Sequence, residues 1–425
     1  MTDVAPTTAE PAAEPHLRQV SVDQLRPGMF VHDLQKGWLT HFIWRKQFAI
    51  KETADINRLK SEGIREVVID TRRGDDVRQE SPELSQEREK QRFAVLDRKI
   101  QEATQKRVEQ VRASVSLEEE RWRVQYLRRD ATATVRDLMT DIRLGKQADI
   151  RRAEEVVDKM MASVGRNPDA LIPLLRLKSE HAYSYEHSIS VAAMVIALGG
   201  TLGLENDVIH QASQGALLQD LGKARIPERI LDKPGRLNDF EFERIRSHVR
   251  ESINILENVP GMSDLTMNVV VQHHERVNGS GYPFRLAGDA ISLHAQAAAI
   301  VDAYDALTSE RPFQRRLEPS QALRELYAAA GTHFRPDLIQ AFIRTLGIYP
   351  VGSLVRLENQ TLAVVTEQNR DNLLKPVVRV IFSIRDGRYL RPSVLDLGRR
   401  LEAPAIISIE SYERWGIDPQ RWQPA

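Results

Sequence analysis

Between Ser81 and Asp130, 22 of 50 residues are charged, both signs are interspersed, glycine is absent and proline occurs once. A stretch so charged and so poor in helix breakers reads as a long solvated helix or helical hairpin, not as the interior of a core. The basic residues Arg121, Arg123, Arg128 and Arg129 sit among Glu118, Glu119, Glu120 and Asp130, which makes them a solvated face rather than a nucleic-acid contact. From Ala153 the pattern changes. Ala153, Val157, Met160, Met161 and Val164 recur at helical spacing. That stripe is expected to pack on the following domain or on a second subunit, and a homodimer is the expected assembly.

The charged segment divides a chain whose 425 residues suffice for roughly two to three domains. Residues 1–16 are rich in Ala, Pro, Thr and Glu and read as a disordered tail. They lack the basic start and apolar centre of a signal peptide. Residues 17–79 read as a small α+β domain, with the turn dipeptide Pro27-Gly28, a short helix over residues 54–63 and a buried strand over residues 64–70. Asp70 ends that strand, but the acidic pair and later lysine of a phospho-acceptor domain are not found. Residues 80–165 form the charged helical part. Residues 166–345 are helix-rich, with loops marked by Gly and Pro. Residues 346–425 turn to strands, with a hairpin expected around Glu358-Asn359-Gln360 and a further strand over residues 377–382. The expected fold class is multidomain and mainly α.

Sixty basic and sixty acidic residues cancel, which argues against a chain built to coat nucleic acid or an anionic membrane. The most apolar run, Val191 to Leu204, falls about four residues short of a spanning helix and contains Gly199, Gly200 and Thr201. A cytoplasmic location is expected. Cysteine is absent, which removes disulfides, thiolate metal sites and a cysteine nucleophile. A transition-metal site in this chain must therefore use imidazole and carboxylate.

Those donors are clustered. Eight of the eleven histidines lie between His181 and His333, where an even spread would place about four. His187 heads an apolar helix. Gln219-Asp220 lies in GALLQDLGKARIP, with Lys223 shortly after. His248 lies on an amphipathic helix, and His273-His274 precede the loop NGSGYP. Asp302 and Asp305 are three residues apart, on one helical face. Taken singly, each is more often a hydrogen-bonded core or surface residue. Asp305 in particular reads equally well as a helix cap or as a partner for Arg311.

The ordered set YSYEHS, ALLQDLGK, ILDKPGRLNDFEFERIRSH, HHERVNGSGYP and VDAYDALTSERPF resembles the HD-GYP branch of the HD-domain metal-dependent phosphohydrolases. The resemblance covers about residues 150–345. Residues 17–75 resemble a small domain often fused in front of such modules, and the tail around LGIYPVGSLVRL resembles the extension seen in such fusions. The resemblance implies an all-helical HD-type catalytic domain that holds two divalent ions, iron or manganese, and hydrolyses cyclic di-GMP to pGpG or GMP. It implies one metal held by Asp220, His248, His273 and His274, and another held by His187, Asp302 and a bridging Asp220. It further implies Lys223 facing the phosphate, Gly281, Tyr282 and Pro283 bordering the substrate pocket, and Arg311 near the nucleotide.

One position departs from the pattern. The histidine of the HD pair is Gln219, whose neutral amide oxygen is a far poorer ligand than imidazole. The metal site it would serve is expected to be weakened, leaving one ion tightly bound. Tyr183 stands where three-metal members carry a glutamate, so a third ion is not expected. Two metals about 3.5–4 Å apart would activate a water and screen the charge of a phosphodiester. Two functions therefore stand side by side. One is a cyclic di-GMP phosphodiesterase of reduced activity. The other is a degenerate module that binds cyclic di-GMP, or a partner such as a diguanylate cyclase, without turnover.

Overall fold

The computed structural model describes residues 17–33, 48–53, 55, 56, 59, 66–75, 91, 94–96, 98, 100, 102, 115, 117–167, 171, 183–309, 316–369, 372–399 and 402–422. The chain separates into two units, residues 1–91 and 92–425. In the first, β1 (Leu17–Ser21), β2 (Phe30–Asp33), β3 (Phe48–Ala49) and β4 (Glu66–Asp70) form an antiparallel sheet in the order β1-β4-β2-β3. Val20, Met29, Val31, Ile50, Val67 and Ile69 close its core. Pro27-Gly28 makes the expected turn, with Gly28 at φ +101°. Asp70 accepts the backbone N–H of Arg72 on its side chain and those of Arg73 and Gly74 on its carbonyl. It organises the turn after β4.

The second unit opens on α1 (Leu117–Arg143) and α2 (Ile150–Arg166). Here the structure differs from the solvated helix expected of the charged segment. Val124, Leu127, Ala131, Val135, Leu138 and Ile142 recur every three or four residues on α1 and are all buried. The charges flanking each of them hide the stripe in the sequence. Ala153, Val157, Met160 and Val164 on α2 are buried in the same core, and Met161 packs at its edge. The stripe is used up within the chain and lends no support to a second subunit. Trp122 and Tyr126 stay exposed.

Among the ion pairs that bridge this hairpin, Arg166–Glu120 has its carboxylate fully buried. Glu120 is fully buried and accepts two bonds from Arg166, at 2.7 and 2.8 Å. Burial pushes its carboxyl pKa up, but the bonds from Arg166 outweigh this and hold it below the usual value. A carboxyl lowered in the fold stabilises above its unfolded pKa and loses that contribution as pH falls through the folded one. Because the arginine is partly solvated, Glu120→Gln is expected to cost about 1–3 kcal/mol at pH 7. The deficit should shrink at acid pH, and urea denaturation at both pH values measures it.

The longer helices that follow are α3 (Tyr183–Thr201), α4 (Asn206–Leu218), α5 (Asp239–Arg246), α6 (His248–Leu256), α7 (Asp264–Gln272), α8 (Leu293–Thr308), α9 (Pro319–Ala328) and α10 (Pro336–Leu346). All but α5 share a single continuous core with α1 and α2, and α5 buries none of its residues. The apolar run at Val191 to Leu204 lies largely in α3, which is buried on all sides along residues 186–199. No helix among the described residues is long and apolar enough to cross a membrane. Behind them, β5 (Leu354–Leu357), β6 (Thr361–Glu367), β7 (Val377–Ser383), β8 (Arg388–Asp396) and β9 (Ile406–Glu410) form an antiparallel sheet in the order β8-β7-β6-β5-β9. The hairpin around Glu358-Asn359-Gln360 is β5–β6, with Gln360 at φ +63°. The fold is thus mainly helical, with a small sheet at each end.

Candidate metal centre

The site is built where the ends of α4, α6 and α7 meet the start of α3 and the second half of α8. After α4 the chain leaves helical geometry at Asp220 and enters a short 3-10 turn, Leu221–Arg225. Ser252 on α6 pins this turn, donating to the Gln219 carbonyl and accepting the Gly222 N–H, both at 2.8 Å. The pinning brings Asp220, 2% exposed, against His248 at the first position of α6. His273 is the C-cap of α7, and His274 follows it out of the helix. A helix end lets two adjacent histidines face one pocket, which a continuous helix would splay by about 100°.

Three bare acceptors meet there. His248 Nδ1 lies 2.7 Å from the Ile245 carbonyl and His273 Nδ1 lies 2.8 Å from the Val270 carbonyl. A carbonyl can only accept, so each Nδ1 carries the proton and each Nε2 presents a lone pair. Those two Nε2 atoms are 3.4 Å apart, and His248 Nε2 is 3.2 Å from Asp220 Oδ1. That carboxylate oxygen is buried and has no hydrogen-bond partner. Ligand atoms of His248, His273 and His274 all lie within 4.8 Å of one another. Burial pushes the pKa of His248 down to about 4, against the pull of Asp220. Burial likewise lowers His273, and burial with the neighbouring imidazoles takes His274 well below the ordinary value. Facing lone pairs on neutral rings, beside an unpartnered anion, are the donor set of a divalent cation. The residues fit a metal ion.

The other side of Asp220 is arranged differently. Lys223 Nζ lies 2.7 Å from Asp220 Oδ2. His187 on α3 has Nδ1 2.6 Å from Asp305 Oδ2 and Nε2 2.9 Å from Asp302 Oδ1, and its Nε2 is 3.6 Å from Asp220 Oδ2. Gln219, fully buried, donates its amide to Asp302 Oδ1 at 3.0 Å, while its Oε1 has no partner. Burial works against protonation of His187, but the bonds to Asp302 and Asp305 win and raise its pKa. Asp220 and Asp302 are also penalised by burial. The Lys223 charge for the first and the His187 bond for the second overcome it, so both carboxyls stay well below the usual range. Asp305 orients His187; Arg311, the arginine the sequence offered it, lies outside the described residues.

The loop after His274 covers the pocket. Tyr282 stacks on His274 with ring centroids 4.6 Å apart, and the Arg246 guanidinium lies over the Tyr282 ring, 4.4 Å from its centroid. Burial raises the Tyr282 pKa, so its phenol remains protonated. Glu275 accepts the backbone N–H groups of Phe284 and Leu286 and so clamps the loop down. Gly281 permits the approach, because a Cβ there would lie 2.4 Å from Glu275 Cα. Neither Glu275 nor Arg246 was singled out from the sequence. Glu275 adjoins the histidine pair, and that adjacency was the available signal. His187, Gln219, Asp220, Lys223, His248, His273, His274, Tyr282 and Asp302 converge on this site, with Gly281 and Pro283 in the loop beside it. Arg311 and the side chain of Tyr183 lie outside the described residues.

A helical pocket of buried histidines and aspartates behind such a loop defines an HD-domain protein of the metal-dependent phosphohydrolase class. Residues 169–338 match the HD domain, and residues 17–167 match a domain of unknown function designated DUF3391. The chain belongs to the HD-GYP family, in the form that carries this domain in front. It is 39% identical over 402 residues to a cyclic di-GMP phosphodiesterase of Pseudomonas aeruginosa, covering 94% of both chains. A cyclic di-GMP phosphodiesterase response regulator of Xanthomonas campestris is 36% identical over 144 residues, 34% of this chain and 38% of that one. A 3'3'-cGAMP-specific phosphodiesterase of Vibrio cholerae is 36% identical over 147 residues, 34% of this chain and 28% of that one. Among solved structures, an HDGYP protein from Bdellovibrio bacteriovorus matches with a TM-score of 0.46 and 16% identity, over 77% of this chain and 98% of that one.

Proposed function

We infer that the chain is a metal-dependent phosphodiesterase that hydrolyses cyclic di-GMP to pGpG or GMP. The observation that carries this reading is the meeting of His248 Nε2, His273 Nε2 and the unpartnered Asp220 Oδ1 in one buried pocket, in a chain alike along its length to a cyclic di-GMP phosphodiesterase. Asp220, His248, His273 and His274 would hold a divalent ion, iron or manganese by family resemblance. When bound, such an ion lowers the pKa of a coordinated water and polarises the phosphate oxygens.

The chain's own groups do the rest. Asp220 and Asp302, both kept ionised, balance the positive charge of the centre. Lys223, held by Asp220 at the pocket, offers a cation to a phosphate oxygen. His187 keeps a proton between Asp302 and Asp220, within reach of an alkoxide leaving group. Tyr282, with Gly281 and Pro283, borders the pocket and excludes water above His274. Tyr282→Ala is expected to raise KM for cyclic di-GMP roughly tenfold, with a smaller change in kcat, because the stacked ring contacts substrate and no ligand atom is lost. Steady-state kinetics on the metal-loaded chain measures this.

A cytoplasmic location belongs to this reading, since the messenger is made there. Gln219 is the feature that speaks for a module that binds cyclic di-GMP or a diguanylate-cyclase-type partner without turnover. The test is cyclic di-GMP hydrolysis by protein purified without air and supplied with iron or manganese. Turnover to pGpG or GMP is expected. Metal-loaded protein that leaves the dinucleotide uncut, in the wild type and in Gln219→His alike, would overturn the reading.

A further inference from the structure

We propose that the buried constellation is a mononuclear centre: one divalent ion sits among His248, His273, His274 and Asp220, and Gln219 closes the adjoining half with hydrogen bonds in place of a second ion. The inference rests on the metal-dependent reading above and deepens it.

Asp220 faces two ways, and its two oxygens are in opposite states. Oδ1 is buried, unpartnered and 3.2 Å from a bare imidazole nitrogen. Oδ2 is taken by Lys223 at 2.7 Å. On the Oδ1 side, His248 and His273 spend their only N–H groups on backbone carbonyls. The lone pairs left facing one another repel until a cation separates them. On the Oδ2 side the unpartnered buried acceptor is the neutral Oε1 of Gln219, not a bare imidazole or a carboxylate. His187 meets Asp305 with one nitrogen and Asp302 with the other. Gln219 sends its amide N–H to Asp302 Oδ1, the same oxygen that faces His187.

A second ion would have to strip both donors from that oxygen and displace the Lys223 ammonium or share Asp220 with it. In exchange Gln219 could supply only a neutral carbonyl oxygen, a weak ligand beside imidazole or carboxylate. Turning the amide over would set Oε1 against the Asp302 oxygen and lose the one bond Gln219 makes. Gln219 is therefore a positioning residue. It holds Asp302 on His187, and its own neutral Oε1 is left as a buried acceptor without a partner, too weak a ligand to hold an ion there.

The test is metal stoichiometry on the full chain, stripped with chelator, reloaded with manganese(II) and freed of excess ion. We expect one manganese per chain by elemental analysis, with the resolved six-line spectrum of an isolated ion by electron paramagnetic resonance. His273→Ala should lose it. Gln219→His should take up a second ion and give the broadened spectrum of a coupled pair. If that variant does not fold, judged by circular dichroism, Gln219→Glu provides a charged oxygen at the same place and should also gain an ion. Two ions in the wild type, or one ion retained in His273→Ala, would overturn the inference while leaving metal-dependent hydrolysis standing. A single ion in folded Gln219→His and folded Gln219→Glu would overturn the role given to Gln219. No ion in the wild type would overturn the reading under Proposed function together with this one.

Discussion

Asp220→Asn is expected to lower kcat for cyclic di-GMP by about a thousandfold, equivalent to ~4 kcal/mol in the barrier. The substitution preserves shape and removes charge. Asp220 touches both halves of the site, through Oδ1 toward His248 and through Oδ2 toward Lys223. An amide cannot serve both. If its oxygen faces Lys223, its N–H group turns toward His248, where a ligand oxygen was wanted. If its oxygen faces His248, its N–H group is set against the Lys223 ammonium. Either way a buried cation loses its counter-charge. The manganese content of the purified variant should fall together with the rate, and Asp220→Glu should restore less than a tenth of the activity because the longer side chain has no space in a site 2% exposed. Unchanged turnover in Asp220→Asn would show that the hydrolytic centre lies elsewhere.

Much of this site was legible in the sequence because its chemistry resides in residue types that are scarce and ordered. Without cysteine, metal donors had to be His, Asp or Glu, and they crowd into one window. What could not be read was which partner each would find. Asp305 reads locally as a cap or a partner for Arg311, while its bond to His187, 118 positions away, has no local signal. Glu275 carries no periodic signal, and its job of holding two backbone amides of the loop depends on a fold-back that only the loop's own conformation creates. The α1 stripe was hidden for a different reason. Its buried apolar residues are mostly isolated positions with a charged neighbour in the sequence, which breaks up the stripe. Arg128 illustrates the cost of reading charges locally. It looked like part of a solvated run, yet it reaches Glu186 beside His187, at 2.6 Å. The hairpin is thereby tied to the helix that carries the site, a link that a pattern of charges cannot encode by itself.

The same reasoning makes Gly222 the position where the smallest change should do the most to the fold. Replacing its hydrogen with a methyl group would place Cβ 2.0 Å from the His248 carbonyl oxygen and 2.5 Å from the Ser252 nitrogen. Both obstacles are backbone, so no rotamer change relieves them, and the turn after Asp220 must move away from α6. Overpacking of this kind is expected to cost about 3 kcal/mol or more. In a unit spanning residues 92–425 that corresponds to a drop in Tm of roughly 4 °C or more. Ser252→Ala tests the same contact without the clash. It removes the hydroxyl that bridges the Gln219 carbonyl and the Gly222 N–H, and should cost only about 1–2 kcal/mol. The two variants should also differ in metal binding. Gly222→Ala separates Asp220 from His248 and should weaken manganese affinity more than Ser252→Ala, which leaves the close approach in place. Calorimetry and metal titration of the two proteins side by side measure both effects. A Gly222→Ala protein as stable and as metal-replete as the wild type would mean that the turn and α6 are not in contact as described.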